Sequence, residues 1–102
     1  MANLIKKLLF LLEIGNHQFD SILWKTHPEK RETLVDHIFT FKIPIGKSKK
    51  EIFELFGNNP HIYSSEIWSY PVEMDRYGNI LIELSLHFED EIVSDIALKI
   101  KE

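Results

Sequence analysis

The C-terminal stretch of the sequence alternates. From Ile80 the residues Ile82, Leu84, Leu86 and Phe88 are interleaved with Leu81, Glu83, Ser85 and His87. From Ile92 the residues Ser94, Ile96, Leu98 and Ile100 are interleaved with Val93, Asp95, Ala97, Lys99 and Lys101. A period of two sends successive side chains to opposite faces of a strand. Two such runs joined by a tight turn at Glu89-Asp90 predict an antiparallel hairpin with one oily face and one wet face. An oily sheet face needs a cover. The rest of the chain must therefore supply a covering layer, and this constrains every upstream segment.

One more strand precedes the hairpin. Trp68, Tyr70 and Val72 alternate with Ile67 and Ser69, and Pro71 confines this strand to a sheet edge or a strand end. The polar connection Glu73–Asn79 links it to the hairpin, so the sheet is expected to be a three-stranded meander over about residues 66–101. Trp68 and Tyr70 are assigned to the core.

The cover is helical. Leu4, Ile5, Leu8, Leu9 and Leu12 recur with three-four spacing, and Gly15 stands where a C′ glycine belongs, which predicts a helix over Ala2–Ile14. Phe10, Leu11 and Ile14 widen its apolar arc, as in a helix sandwiched between elements. Asp20 is placed to cap a short turn carrying Ile22, Leu23 and Trp24. Thr26-His27-Pro28-Glu29 has the form of a capping box with proline in the first turn, predicting a helix to about Phe41 that buries Leu34, Val35, Ile38 and Phe39. Ser48 and Glu51 form a second capping box, opening a short helix with Ile52, Phe53, Leu55 and Phe56 inward and Gly57 at its end. Asn58-Asn59-Pro60 is a turn. The expected class is α+β, with N-terminal helices on one face of the meander. The helical part covers about 1–57 and the whole chain is one domain, as its 102 residues allow.

Lys6 and Lys7 before Leu8–Leu12 have the outline of a short signal peptide, but Glu13 interrupts the apolar run and Ile14-Gly15-Asn16-His17 offers no small-residue cleavage site. The run is too short to span a bilayer. The expectation is a buried amphipathic helix in a cytoplasmic protein without a membrane partner. The chain has no cysteine, which excludes disulfides and thiolate metal sites. Its formal charge of −4 argues against nucleic acid, which calls for a basic stripe, and suits a basic protein partner.

The motifs of catalysis fail on spacing. Ile45-Gly46-Lys47-Ser48 has part of a phosphate-binding loop, but the position of the motif's first glycine is Phe41 and the segment follows a helix instead of a strand. His17, His27, His37, His61 and His87 include no i,i+4 pair and no zinc-ligand spacing. Ser64, Ser65 and Ser85 lack the context of an activated nucleophile. No catalytic residue, cofactor or metal is assigned. What remains is the wet face of the hairpin, where Leu81, Glu83, Ser85 and His87 are expected beside Val93, Asp95, Ala97 and Lys99. Glu83, His87, Glu89, Asp90, Glu91 and Asp95 are the candidate contacts to a protein partner, with apolar Leu81 and Val93 among the charges.

Gly46-Lys47-Ser48-Lys49-Lys50-Glu51-Ile52, then Leu55-Phe56-Gly57 and Pro60, resembles the helical start of the small-protein-A/outer-membrane-lipoprotein-A family, the lipoprotein of the β-barrel assembly machinery. Trp68-Ser69-Tyr70 is similar to its aromatic strand, and Leu84 to Val93 to its later hairpin with an acidic turn. The resemblance covers about residues 46–100. It implies helices followed by a meander sheet, an architecture shared with the β-lactamase-inhibitor proteins, and a protein-binding role. Small acidic cysteine-free domains of this kind include immunity proteins that neutralise a bacterial toxin. The alternative expectations are a cytoplasmic scaffold or accessory protein with a barrel-assembly-lipoprotein-like fold, and a small enzyme with an unrecognised site.

Overall fold

The computed structural model describes residues 18–101. The helix expected over Ala2–Ile14 lies outside the described residues. Within them the class is α+β: short helices precede a four-stranded antiparallel open sheet.

Helix α1 (Ser21–Thr26) begins where Asp20 was expected to cap it, with the Asp20 carboxylate accepting from the Leu23 amide at 3.0 Å. Thr26 does not open the next helix. It ends α1, and its hydroxyl donates back to the Ile22 carbonyl at 2.7 Å. The single helix expected from there to Phe41 is instead a 3-10 helix, Pro28–Leu34, followed by helix α2, Val35–Thr40. The reason lies in which side chains face inward. Pro28, Arg31 and Leu34 are spaced by three, and a 3-10 helix stacks i and i+3 on one side. Arg31 is held there by two carbonyls: its Nε donates to Trp24 at 2.8 Å and its Nη1 to Pro71 at 2.9 Å. Burial lowers the Arg31 pKa, and nearby Tyr70 works against that shift.

Helix α3 (Lys49–Phe56) has the capping box read from the sequence. The Glu51 amide donates to Ser48 Oγ at 3.2 Å, and the Glu51 carboxylate accepts from the Ser48 amide at 3.0 Å. Gly57 ends the helix at φ +105°, a conformation that strains any residue with a Cβ.

The sheet has four strands where three were expected. Strand β1 (His61–Ile62) pairs with Ser69 and Trp68 of β2 (Ile67–Met74), followed in a meander by β3 (Ile80–Glu89) and β4 (Ile92–Ile100). Two residues carry no readable period, so β1 left no trace in the sequence pattern. Pro71 lies in β2 past the reach of β1, beside a register irregularity between Pro71 and Glu73. A missing amide costs the ladder nothing there.

The core joins Trp24, Leu34, Ile38, Ile52 and Phe56 of the helical layer to Trp68, Tyr70 and Val72 of β2 and Leu84, Leu86 and Phe88 of β3. Trp68 and Tyr70 are buried, as expected. The Tyr70 hydroxyl donates to the Gly57 carbonyl at 2.7 Å, and burial drives its pKa up, a little offset by Arg31. Phe53, expected to face inward, is exposed; its ring stacks on Trp68 at 4.9 Å at the margin of the core.

The hairpin turn falls one residue later than expected, at Asp90–Glu91, with φ of +52° and +69°. Two positive φ values in a two-residue loop follow the twist of the strands. A register shift between His87 and Phe88 then pairs Phe88 with Val93 and Glu89 with Ile92. Val93 therefore turns inward, 1% exposed, and Ile92 turns outward. The simple alternation had assigned Val93 to the wet face; the irregularity exchanges the two. Ile96 is still packed against the core, but exposure rises further along β4. Leu98 and Ile100 pair with Leu84 and Ile82 on the inner face, yet they are 43% and 76% exposed while Leu84 is 0%.

A Glu in the left-handed region costs about 1–2 kcal/mol. Its exposed ion pair with Lys49 returns less than about 1 kcal/mol. Replacing Glu91→Gly is expected to stabilise the protein by about 0.5–1 kcal/mol, a rise in Tm of a few degrees in a calorimetric scan. A lower Tm would show that the Lys49 contact outweighs the backbone strain.

Candidate protein-docking face

The face of the sheet away from the helices is built by register. Ser69 opposes Ser85, which opposes Ala97; Ile67 opposes His87, which opposes Asp95; Glu83 opposes Lys99. These rows divide into a buried polar cluster, an open depression and an acidic tip.

Glu83 was expected to be exposed. It is 3% exposed, although it lies on the solvent side of the sheet. The chain between β1 and β2 folds over it: the Tyr63 amide donates to the Ile67 carbonyl, and the Tyr63 ring crosses the face so that its hydroxyl donates to Glu83 Oε1 at 2.9 Å. Ser69 Oγ, itself fully buried, donates to Glu83 Oε2 at 3.0 Å. Lys101 Nζ lies 3.1 Å from Oε1 and donates to the Tyr63 hydroxyl at 2.7 Å. A buried carboxylate is tolerated when its lone pairs are filled in this way. Burial pushes the Glu83 pKa up, but the hydrogen bonds from Tyr63, Lys101 and Ser69, with the Lys101 charge, outweigh it and leave the pKa below its ordinary 4.5. The same bonds raise the pKa of Lys101.

His87 and Asp95 are brought together as a cross-strand pair, with Glu66 Oε2 3.9 Å from His87 Nε2. They border a depression of ≈ 270 Å³ with Ile67, Ser85, Ala97 and Lys99. Its floor is largely apolar at Ile67 and Ala97, and its rim carries charge of both signs at Asp95 and Lys99. Asp95 also accepts from the Ile96 amide at 3.0 Å.

Glu89, Asp90 and Glu91 stand exposed at the hairpin tip. Glu91 reaches back to Lys49 Nζ at 3.0 Å, and that ammonium lies 5.3 Å from the Phe88 ring centre. Of the six residues named from the sequence, five gather at this end of the hairpin. Glu83 lies four residues away along β3, about 13 Å, inside its own cluster. Sequence reasoning missed Tyr63, Ser69 and Ile67. Tyr63 follows a two-residue strand without period, whereas Lys101 was visible as the last member of the wet alternation.

Gly46 and Lys47, which partly match a phosphate-binding loop, are committed to the sheet. The Gly46 amide donates to the Val93 carbonyl and the Val93 amide to the Lys47 carbonyl, both at 2.9 Å. Among the described residues no three His, Asp or Glu side chains gather as a metal site, and no helix is long and apolar enough to cross a membrane. Comparison of the chain with protein-family models, curated proteins and solved structures found no match.

The depressed pKa of Glu83 fixes the sign of its linkage. Folding favours the ionised carboxylate, so its contribution is whole above pH 4.5 and is lost as pH falls through the lower folded value. Glu83→Gln is expected to lose about 1–3 kcal/mol at about pH 7. Its deficit against the unaltered protein should shrink by about pH 3 in thermal melts. A deficit independent of pH would mean that packing, not charge, holds the cluster.

Proposed function

We propose that this chain is a non-catalytic, cytoplasmic protein-binding domain that acts as an immunity protein, neutralising a basic toxin domain through the open end of the outer sheet face. The observation that carries the reading is an apolar floor at Ile67 and Ala97 bordered by Asp95, at the end of the hairpin whose tip exposes Glu89, Asp90 and Glu91. A floor of this kind supplies contact area, and the acidic hairpin tip beside it steers a basic partner towards it. The net charge of −4 extends the same field over the whole protein.

The groups whose proton affinities are strongly shaped by the fold support a binding role over a catalytic one. Glu83 is saturated by three donors, Tyr70 is bonded to Gly57 and Arg31 to two carbonyls. Each holds chain segments together. The resemblance to the lipoprotein family over about residues 46–100 points the same way, since its implied role is also protein binding.

The test uses the basic C-terminal domain of a toxin encoded beside this chain's own gene. The two proteins should co-purify, and co-expression should relieve toxicity. Reversing Glu89, Glu91 and Asp95 together to Lys should slow association at low salt by at least about tenfold and flatten its salt dependence. Unchanged association would remove the acidic tip from the interface.

A further inference from the structure

We propose that the chain pairs with a second copy of itself through the free edge of β4, in a twofold register centred on Ala97. This inference does not depend on the proposed toxin partner.

Strand β4 is the last in the sheet order, and its outer edge is treated unequally along its length. At its start, Gly46 and Lys47 exchange backbone hydrogen bonds with Val93, and Ser48 bridges Ile92. From Ser94 to Ile100 no described strand pairs with that edge. The direction of its backbone groups follows from two anchors. The Lys101 amide donates inward to the Leu81 carbonyl of β3, and the Val93 amide faces outward to Lys47. Alternation back from Lys101 turns the amides and carbonyls of Ile96, Leu98 and Ile100 away from β3. The Ile96 amide is met there by its neighbour's side chain, Asp95 Oδ1, at 3.0 Å.

Solitary edges are commonly guarded by proline, by charges pointing into the oily face, by bulges or by extreme shortness. The bulge of β4 lies near its start, before Ile96. Here the inner-face residues of the open stretch are Ile96, Leu98 and Ile100, with Leu98 43% and Ile100 76% exposed. The charges on the opposite face are self-complementary. A twofold axis at Ala97 sets Asp95 of each copy against Lys99 of the other. It also sets Ile96 against Leu98, residues whose backbone groups both face the edge, so they exchange amide and carbonyl as an antiparallel pair. The Ile96 amide passes from Asp95 to the carbonyl of the second copy's Leu98, which frees Asp95 for Lys99. An axis normal to the sheet keeps both helical layers on one side. The exposed side chains of Leu98 and Ile100 from the two copies then adjoin in the valley between those layers.

Sedimentation equilibrium of the full chain across a concentration series tests this. A monomer–dimer equilibrium is expected. Asp95→Lys and Lys99→Asp should each raise the dimer dissociation constant by about tenfold, since each sets like charges face to face twice per dimer. The double exchange D95K/K99D should restore it to within about threefold. Circular dichroism of each variant separates loss of pairing from loss of folding. A monomer at every concentration up to about 1 mM overturns the proposal. So does a dimer indifferent to the single reversals, or one that the double exchange fails to restore. Slow amide exchange at Leu98 and Ile100 in a monomer, lost on deleting residues 2–14, would assign the strip to the chain's own N-terminal segment and also overturn it. The double exchange keeps dimerisation while altering the charge at position 95 offered to a toxin, so the two readings fail separately.

Discussion

The indole of Trp24 is the contact on which the helical layer depends. It is 0% exposed, and its Nε1 donates to the Phe56 carbonyl at 3.1 Å, joining α1 to the last residue of α3. Phe56 and Tyr70 meet it edge-on, and the Arg31 guanidinium lies 4.7 Å from its ring centre. Arg31 continues from there to the Pro71 carbonyl, so one side chain links α1, the 3-10 helix and β2. These helices are too short to hold their shape alone. Their geometry is set by what they bury, and the 3-10 winding of Pro28–Leu34 is one result.

The two faces of the sheet handle burial in opposite ways. The inner face is apolar and buried over β2, β3 and the start of β4, and grows exposed at Leu98 and Ile100. The outer face is polar yet contains a closed site, where Tyr63, Ser69 and Lys101 enclose Glu83. That cluster fixes the connection between β1 and β2 against the end of β4. It ties the two ends of the meander across the solvent side of the sheet, which backbone pairing between neighbouring strands does not do.

What the sequence showed and what it hid divide along physical lines. The hairpin, the two helix caps at Asp20 and Ser48 and the burial of Trp68 and Tyr70 were legible, because each rests on a local pattern of period or capping chemistry. The break between Leu34 and Val35 was not, because it comes from Arg31 reaching carbonyls at positions 24 and 71, and no local rule contains that distance. The inward turn of Val93 depends on a register shift near the hairpin turn, which reverses faces without altering composition. For the candidate site, the acidic tip and the placing of His87 and Asp95 on one face followed from alternation, whereas their direct pairing depends on the register shift. The enclosure of Glu83 did not, since it needed a tyrosine from an aperiodic segment.

Ser48 has a double engagement. Its hydroxyl caps α3 through the Glu51 amide, and its backbone bridges Ile92 immediately after the acidic turn. Lys49, the next residue, holds Glu91. The tip of the hairpin and the first turn of α3 thus share their fastenings. A molecule that gripped the tip and twisted it would be pulling on the stopper of a helix. Any rearrangement at the tip must therefore either leave its backbone unmoved or loosen α3 from its first turn.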